Sequence, residues 1–286
     1  MKTLKIGYLI SYDYEFVKMS LSRVYDFADE IFFAIDADRL TWSGENFTIK
    51  DEFWDWITQF DKDRKIRIYQ DKFYVADLTP MQCDTRERNM LGKFMGKADW
   101  YIQIDSDEYF VDFSAFIAKL NNYDTELPTT VYCSVATLFK ELPSGFLLIN
   151  ESLETLSFAT NNPVYDLARN NTSGNIHIHW NDLVLHQSWA RSPEEIQQKL
   201  NNWSHKNDFN VNSFYKLWNA IDEFNYNCLS NFHPLYSSTW PNLHYIKGNL
   251  NAILDSPNLG DIRGINPPAA KKKNLLSRLW MKLKSR

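Results

Sequence analysis

Cysteine is scarce: only Cys83, Cys133 and Cys228 occur in 286 residues, and no two stand in a C-x-x-C or similar ligand spacing. That excludes a disulfide framework and a thiolate metal site, and a reduced, cytosolic-type compartment is expected. No window of about 18 apolar residues occurs, so no segment reads as a membrane span. The opening stretch, MKTLKIGYLISYDYE, has too short an apolar run for a secretory signal and lacks a small-residue cleavage site. Internal repeats are absent. An excess of positive charge is missing as well, since 31 Lys and Arg stand against 36 Asp and Glu, for a net charge of −5. Seven of the basic residues fall in the last 16, KKKNLLSRLWMKLKSR, which leaves 24 basic against 36 acidic residues elsewhere, or −12. An acidic body of this kind argues against a nucleic-acid binder, which needs a broad positive surface.

Aromatic residues, by contrast, are plentiful: 15% of the chain, with 10 Trp and 15 Tyr. Their flat amphipathic faces suit stacking on sugars or bases, or a Trp-rich core. The first half alternates strand and helix patterns. LKIGYLIS, EIFFAID, KIRIYQ and DWYIQI read as strands; YEFVKMSLSRVYDFA, DEFWDWITQF and CDTRERNMLGKFMGKA read as helices. That alternation implies a mostly parallel sheet with helices on both faces, whose ligands bind beyond the carboxyl ends of the strands. Polar residues gather at three such ends: Ser11 to Asp13, Asp36 to Asp38, and Asp105 to Glu108. The second half is less regular, with a hairpin from TTVYCSVATLFKEL through PSG to FLLINE, and short strands NIHIHW and LVLH. A helix then starts at Ser192, where Ser192, Pro193 and Glu195 form a capping signature, and Ile196, Leu200 and Trp203 share one apolar face.

The stretch DWYIQIDSDEYF places Asp105, Asp107 and Glu108 directly after an apolar strand. Alternation along an extended chain aims Asp105 and Asp107 the same way and Glu108 elsewhere. Two convergent carboxylates suit a hard cation such as Mg2+ or Mn2+, completed by waters and substrate phosphates; a solvated acidic loop is the alternative. The longer run RERNMLGKFMGKADWYIQIDSDEYF, with Arg88, Asn89, Asp105, Asp107 and Glu108, resembles the Arg-Asn helix and DxD strand of family-2-like glycosyltransferases with the GT-A fold. The resemblance spans residues 1–125 and continues diffusely through VLHQSWARSPEEIQQKLNNWSH.

The resemblance implies an α/β, Rossmann-like GT-A domain over residues 1–262, with a mixed, mostly parallel central sheet flanked by helices. Residues 1–125 would form the nucleotide-sugar-binding half and 126–262 the less regular acceptor-side half. It further implies that Asp105 and Asp107 hold Mn2+ or Mg2+ against a donor diphosphate, with His186 as a third ligand and His205 a weaker candidate. Asp36, with Asp38 beside it, would contact the nucleoside, Ser11, Tyr12 and Asp13 would surround the base, and Arg88 or Arg86 would reach the phosphates. A metal and an arginine would together stabilise the charge that develops on the leaving diphosphate.

Other residues leave alternatives open. His177 and His179 share a strand face, which is either a polar face or, with His186, a zinc-type set. An inverting transfer needs a carboxylate base; Glu141, Glu151 and Asp182 are the candidates in the second half. Trp42 and Trp189 either stack on sugar or pack under loops. Residues 263–286 read as a linker and a basic amphipathic tail, in which Leu275, Leu276, Leu279, Trp280 and Leu283 recur at helical spacing. Lys271 to Arg286 would then lie on an anionic membrane surface. The leading expectation is a metal-dependent glycosyltransferase. It would move sugar from a nucleotide-sugar to a glycan or lipid-linked acceptor in cell-surface polysaccharide or lipopolysaccharide assembly, at the cytoplasmic face of the membrane. A metal-dependent hydrolase or nucleotidyltransferase, and a non-catalytic carbohydrate-binding module, are the alternatives.

Overall fold

A computed structural model describes residues 2–150, 154–202 and 208–255. Glu151, Trp203, His205, the linker and the basic tail lie outside the described residues.

Four parallel strands, β1 (Leu4–Leu9), β2 (Glu30–Asp36), β3 (Ile66–Asp71) and β4 (Trp100–Asp105), run in the order β3-β2-β1-β4. The nearly continuous apolar character of β1, β2 and β4 follows from burial on both faces, whereas β3 lies at the sheet edge and is partly exposed. Ile31, Phe33 and Ile35 of β2 join Ile6, Tyr8, Ile102 and Ile104 against α1 (Val17–Val24) and α2 (Asp51–Phe60), through Leu21 and Phe53. Phe32 and Ala34 point the other way, toward Leu91 and Met95 at α3 (Pro80–Phe94). Gly7 permits that second contact, since a Cβ there would stand 2.8 Å from Leu91 Cδ2.

Helix α3 begins three residues before the apolar pattern suggests. The Thr79 hydroxyl accepts from the Gln82 amide, the Gln82 side chain accepts from the Thr79 amide, and Pro80 takes the first helical position. It also ends sooner than expected, where Gly96 turns left-handed at φ 64°.

Beyond β4 the sheet becomes mainly antiparallel. The expected hairpin is β6 (Thr129–Leu142) and β7 (Gly145–Asn150); β8 (Thr155–Thr160) bridges β4 and β6, and β10 (Asn242–Lys247) extends β7. The short β5 (Glu108–Phe110) pairs with β9 (Ile176–His186), which runs parallel to β6. The two strands expected from NIHIHW and LVLH are thus one. Cys133 faces Trp180 and the next residue, Ser134, faces Leu183. Asn181 and Asp182 form a bulge, which is why the sequence reads as a break. Packed below the hairpin, α5 (Pro193–Asn202) and α6 (Val211–Ala220) bury Ile196, Leu200, Phe214 and Trp218 with Trp189 and Trp240. The capping box at Ser192 and Glu195 is present as the sequence implies. Helix α4 (Phe113–Asn122) covers β5 and β9 through Phe113 and Phe116, and α7 (Leu250–Leu254) packs with Leu138 and Leu148.

Candidate active site

The carboxyl ends of β1, β2 and β4 open on a cavity of about 540 Å3, a size that suits a small-molecule ligand of a few hundred daltons. Its walls come from both halves of the chain. Ser11, Tyr12, Asp13, Asp36, Asp105 and Asp107 line it from the parallel strands, and Glu154, His186, Trp189 and Lys199 from the antiparallel side. Register explains the convergence: Leu9 of β1 lies beside Asp105 on one side and Ala34 on the other, so all three strands end at one level.

The acidic cluster is knit into this floor. Glu108, the most deeply buried of its acids, accepts the Asp105 amide at 2.8 Å and is clasped by both terminal nitrogens of Arg169. Arg169 in turn lies over the Phe158 ring at 4.6 Å. Asp105 is the open one: its side chain is 35% exposed, against 5% for Asp107 and 0% for Glu108. Burial alone would raise the Asp105 carboxyl, but Arg88 and Arg169 hold it below the usual carboxylate range. Asp107 is gripped harder. Arg191 Nη2 bonds its Oδ2, with Lys199 Nζ 3.6 Å from the same oxygen and His186 Nε2 3.4 Å from Oδ1. Burial is again opposed, here by His186, Lys199 and Arg191, and the carboxyl falls well below its ordinary range. Arg191 also reaches Asp13 at 3.1 Å.

Several of the expected residues have partners within the protein. Asp36 lines the cavity, but its Oδ1 accepts the amides of Asp38 and Leu40 and its Oδ2 those of Phe73 and Tyr74. It clamps the loops after β2 and β3 together. Asp38 points away and pairs with Lys72 at 3.1 Å. Arg88 is buried, with Nε on Asp84, Nη1 on Gln103 and Nη2 on Asp105, and so fastens α3 to β4. Arg86 donates to the Lys72 carbonyl, and Asn89 clasps the Tyr165 backbone.

Of the base candidates, Asp182 is carried by its bulge onto Lys119, 2.8 Å away, and Glu141 sits near the exposed hairpin end; neither lines the cavity. His177 and His179 flank the Tyr132 ring, seven or more residues from His186 on the same strand, a separation of roughly 20–30 Å. No three-histidine set forms. Trp189 is buried in the core under the cavity, and Trp42 donates its indole N–H to Glu87 at 2.6 Å. Burial lifts the Glu87 carboxyl to about 8, Trp42 opposing.

Sequence reasoning missed Arg169, Arg191, Lys199 and Glu154. Lys199 had a signal: it sits between Ile196 and Leu200 on the apolar face of α5, where a charged residue needs a partner. Glu154 precedes β8, accepts from the Thr137 hydroxyl at 3.0 Å, and is the acid the second half supplies among the described lining residues.

The Mn2+ or Mg2+ expected on Asp105, Asp107 and His186 does not fit this arrangement. Both Asp107 oxygens face cationic or imidazole nitrogens, and Asp105 Oδ1 accepts from Arg88. Among the described residues, no group of three or more His, Cys, Asp or Glu stands together as metal ligands.

No family model and no curated protein matches this chain. Solved structures do. The chain is similar to the mannosyltransferase PcManGT from Pyrobaculum calidifontis, in complex with GDP-Man and Mn2+, at 7% identity and a TM-score of 0.45, over 77% of this chain and 68% of that one. It is also similar to S. aureus TarS 1-349, at 10% identity and TM-score 0.36, over 76% and 69% of the two chains. A third likeness is to a putative glucose-1-phosphate thymidylyltransferase from Bacillus anthracis, at 7% identity and TM-score 0.36, over 77% and 97%. Against the longer TarS structure the match covers 49% of this chain and 23% of that one. Parallel strands flanked by helices, continued by a mainly antiparallel half, make up the mixed, Rossmann-like α/β sheet that the sequence implies.

Proposed function

We propose that this protein is a glycosyltransferase that takes a nucleotide-diphospho-sugar as donor and a glycan or lipid-linked glycan as acceptor. The observation that carries the proposal is the convergence of three parallel strand ends, with Asp105 and Asp107, on one cavity whose far wall belongs to the second half of the chain. A donor nucleotide lies over the ends of β1 and β2 by Ser11, Tyr12 and Asp13, and the sugar faces the second half, where an acceptor enters.

In an inverting transfer the acceptor hydroxyl oxygen bonds to the anomeric carbon as the bond from that carbon to the diphosphate oxygen breaks. The electron pair leaves with the nucleoside diphosphate, and the hydroxyl proton passes to a carboxylate. Glu154 takes that role, since it is placed on the acceptor side and held by Thr137. A positive side chain beside the diphosphate stabilises the departing charge. Among the described residues no helix is long and apolar enough to cross a membrane; the Lys271 to Arg286 segment brings the enzyme to an anionic membrane surface beside a lipid-linked acceptor, in assembly of cell-surface polysaccharide.

Incubation with UDP-, GDP-, CDP- and dTDP-sugars, followed by mass spectrometry, tests the activity. Release of nucleoside diphosphate is the expected result. Release of pyrophosphate from a nucleoside triphosphate and a sugar phosphate would instead mark a nucleotidyltransferase.

A further inference from the structure

Lys199 is the least satisfied cation of the site. Its side chain is only 9% exposed, it lines the cavity, and its ammonium makes no hydrogen bond among the described residues. Its contacts are the Asp107 carboxylate at 3.6 Å and the face of the Trp189 ring at 5.6 Å. An ammonium has three donors to place, and leaving them unpaired in a desolvated wall is costly. The helix that presents it is fixed at its start by the Ser192 and Glu195 capping box and along its length by Ile196 and Leu200. The Lys199 Cα is therefore held in place, while its long stem lets the ammonium move by an ångström or two.

The neighbouring charges differ in this respect. Arg191 binds Asp107 and Asp13, stacks over Phe16 at 4.4 Å, and already has one buried terminal nitrogen, Nη1, without a hydrogen-bond partner. Pulling it away from Asp107 and Asp13, which share Nη2, would strand a second. Arg88 is committed to Asp84, Gln103 and Asp105, and Arg169 to Glu108. Lys199 alone among these four leaves no carboxylate bare when it turns toward a ligand, because Asp107 keeps Arg191 and His186. A divalent ion entering the same place would meet Arg191 and Lys199 within 4 Å of the carboxylate it needs, a repulsion it would have to overcome.

We infer that Lys199 is the cation that receives the donor's diphosphate, and that this cavity binds a nucleoside diphosphate without a divalent metal ion. The inference rests on the nucleotide-sugar reading of the cavity. In it, the Lys199 ammonium donates charge-assisted hydrogen bonds to the phosphate oxygens, Asp107 remains paired with Arg191, and the Asp105 carboxylate stays bonded to Arg88.

Isothermal titration calorimetry with UDP, GDP, CDP, dTDP and ADP, each in EDTA and again with Mn2+ or Mg2+ added, tests it on the full chain, on Lys199→Met and on Lys199→Arg. At least one nucleoside diphosphate is expected to bind the unsubstituted protein in EDTA. Lys199→Met weakens that binding roughly 10- to 100-fold, the worth of a charged hydrogen bond, and Lys199→Arg restores most of it. Thermal unfolding of each variant shows whether it is folded, and the EDTA measurement needs no variant at all. Binding that appears only with added metal overturns the inference and leaves the nucleotide-sugar reading standing, as does unchanged affinity in a folded Lys199→Met. Absence of binding to every nucleotide, with and without metal, overturns both.

Discussion

Arg88 Nη2 donates to Asp105 Oδ1 at 2.9 Å, while its Nε holds Asp84 one turn earlier on α3 at 2.6 Å. One guanidinium therefore joins helix to strand and supplies the charge that two carboxylates share. Burial raises the Asp84 carboxyl despite Arg88, whereas Asp105 is held low. Replacing Arg88 with Met leaves both acids without this partner. We expect a loss of about 3–5 kcal/mol in stability by urea unfolding. Arg88→Lys should recover little, because an ammonium cannot reproduce the fork that meets Asp84, Gln103 and Asp105 together.

Asp36 provides a second structural prediction. Its four accepted amides tie the loop after β2 to Phe73 and Tyr74 beyond β3. Asp36→Ala leaves these donors to find other partners, at about 1–3 kcal/mol for each one left buried and unmet. The expected result is a lowered Tm together with weaker nucleotide affinity, both relieved in part by Asp36→Asn. A variant with unchanged Tm and lost affinity would return Asp36 to direct nucleoside contact.

Glu87 makes stability depend on pH. Its carboxyl, ordinarily near 4.5, is lifted to about 8 in the fold, chiefly by burial. The folded protein then binds more protons than the unfolded chain across that interval, so this group's contribution to stability falls as pH rises from about 4.5 to about 8. The slope is roughly 1.4 kcal/mol per pH unit at its steepest. Glu87→Gln keeps an acceptor for the Trp42 indole and removes the titration. Its unfolding free energy should therefore gain on the unsubstituted protein between pH 5 and pH 8, and parallel profiles for the two would contradict this.

Much of the fold is legible in the sequence because the strands that build the site are buried on both faces. EIFFAID and DWYIQID advertise themselves as apolar runs, each ending in an acid. The Ser192 cap is equally plain, being local chemistry. What is hidden is long-range or irregular. Asn181 and Asp182 look like a strand break because a bulge places polar residues mid-strand. The acids of the site are visible as a motif, but their partners are not: Arg169 meets Glu108 from 61 residues away and Arg191 meets Asp107 from 84. No spacing rule joins such residues, and so the counter-charges that the sequence assigns to a metal come from the protein's own side chains.

Glu154 carries the catalytic prediction. Glu154→Gln preserves its size and its ability to accept from Thr137 but removes the proton acceptor. Sugar transfer should fall by about 10²–10⁴-fold, while calorimetric affinity for the nucleoside diphosphate changes little. Equal loss of both would assign Glu154 to donor binding instead.

The most direct measurement is a crystal structure of the protein grown with the nucleoside diphosphate that binds it most tightly. The base is expected over the ends of β1 and β2 beside Ser11 to Asp13, with the diphosphate against the Lys199 ammonium and clear of the Asp105 carboxylate. A nucleotide lodged elsewhere on the molecule, or one whose base lies at the Glu154 side of the cavity, would contradict the account.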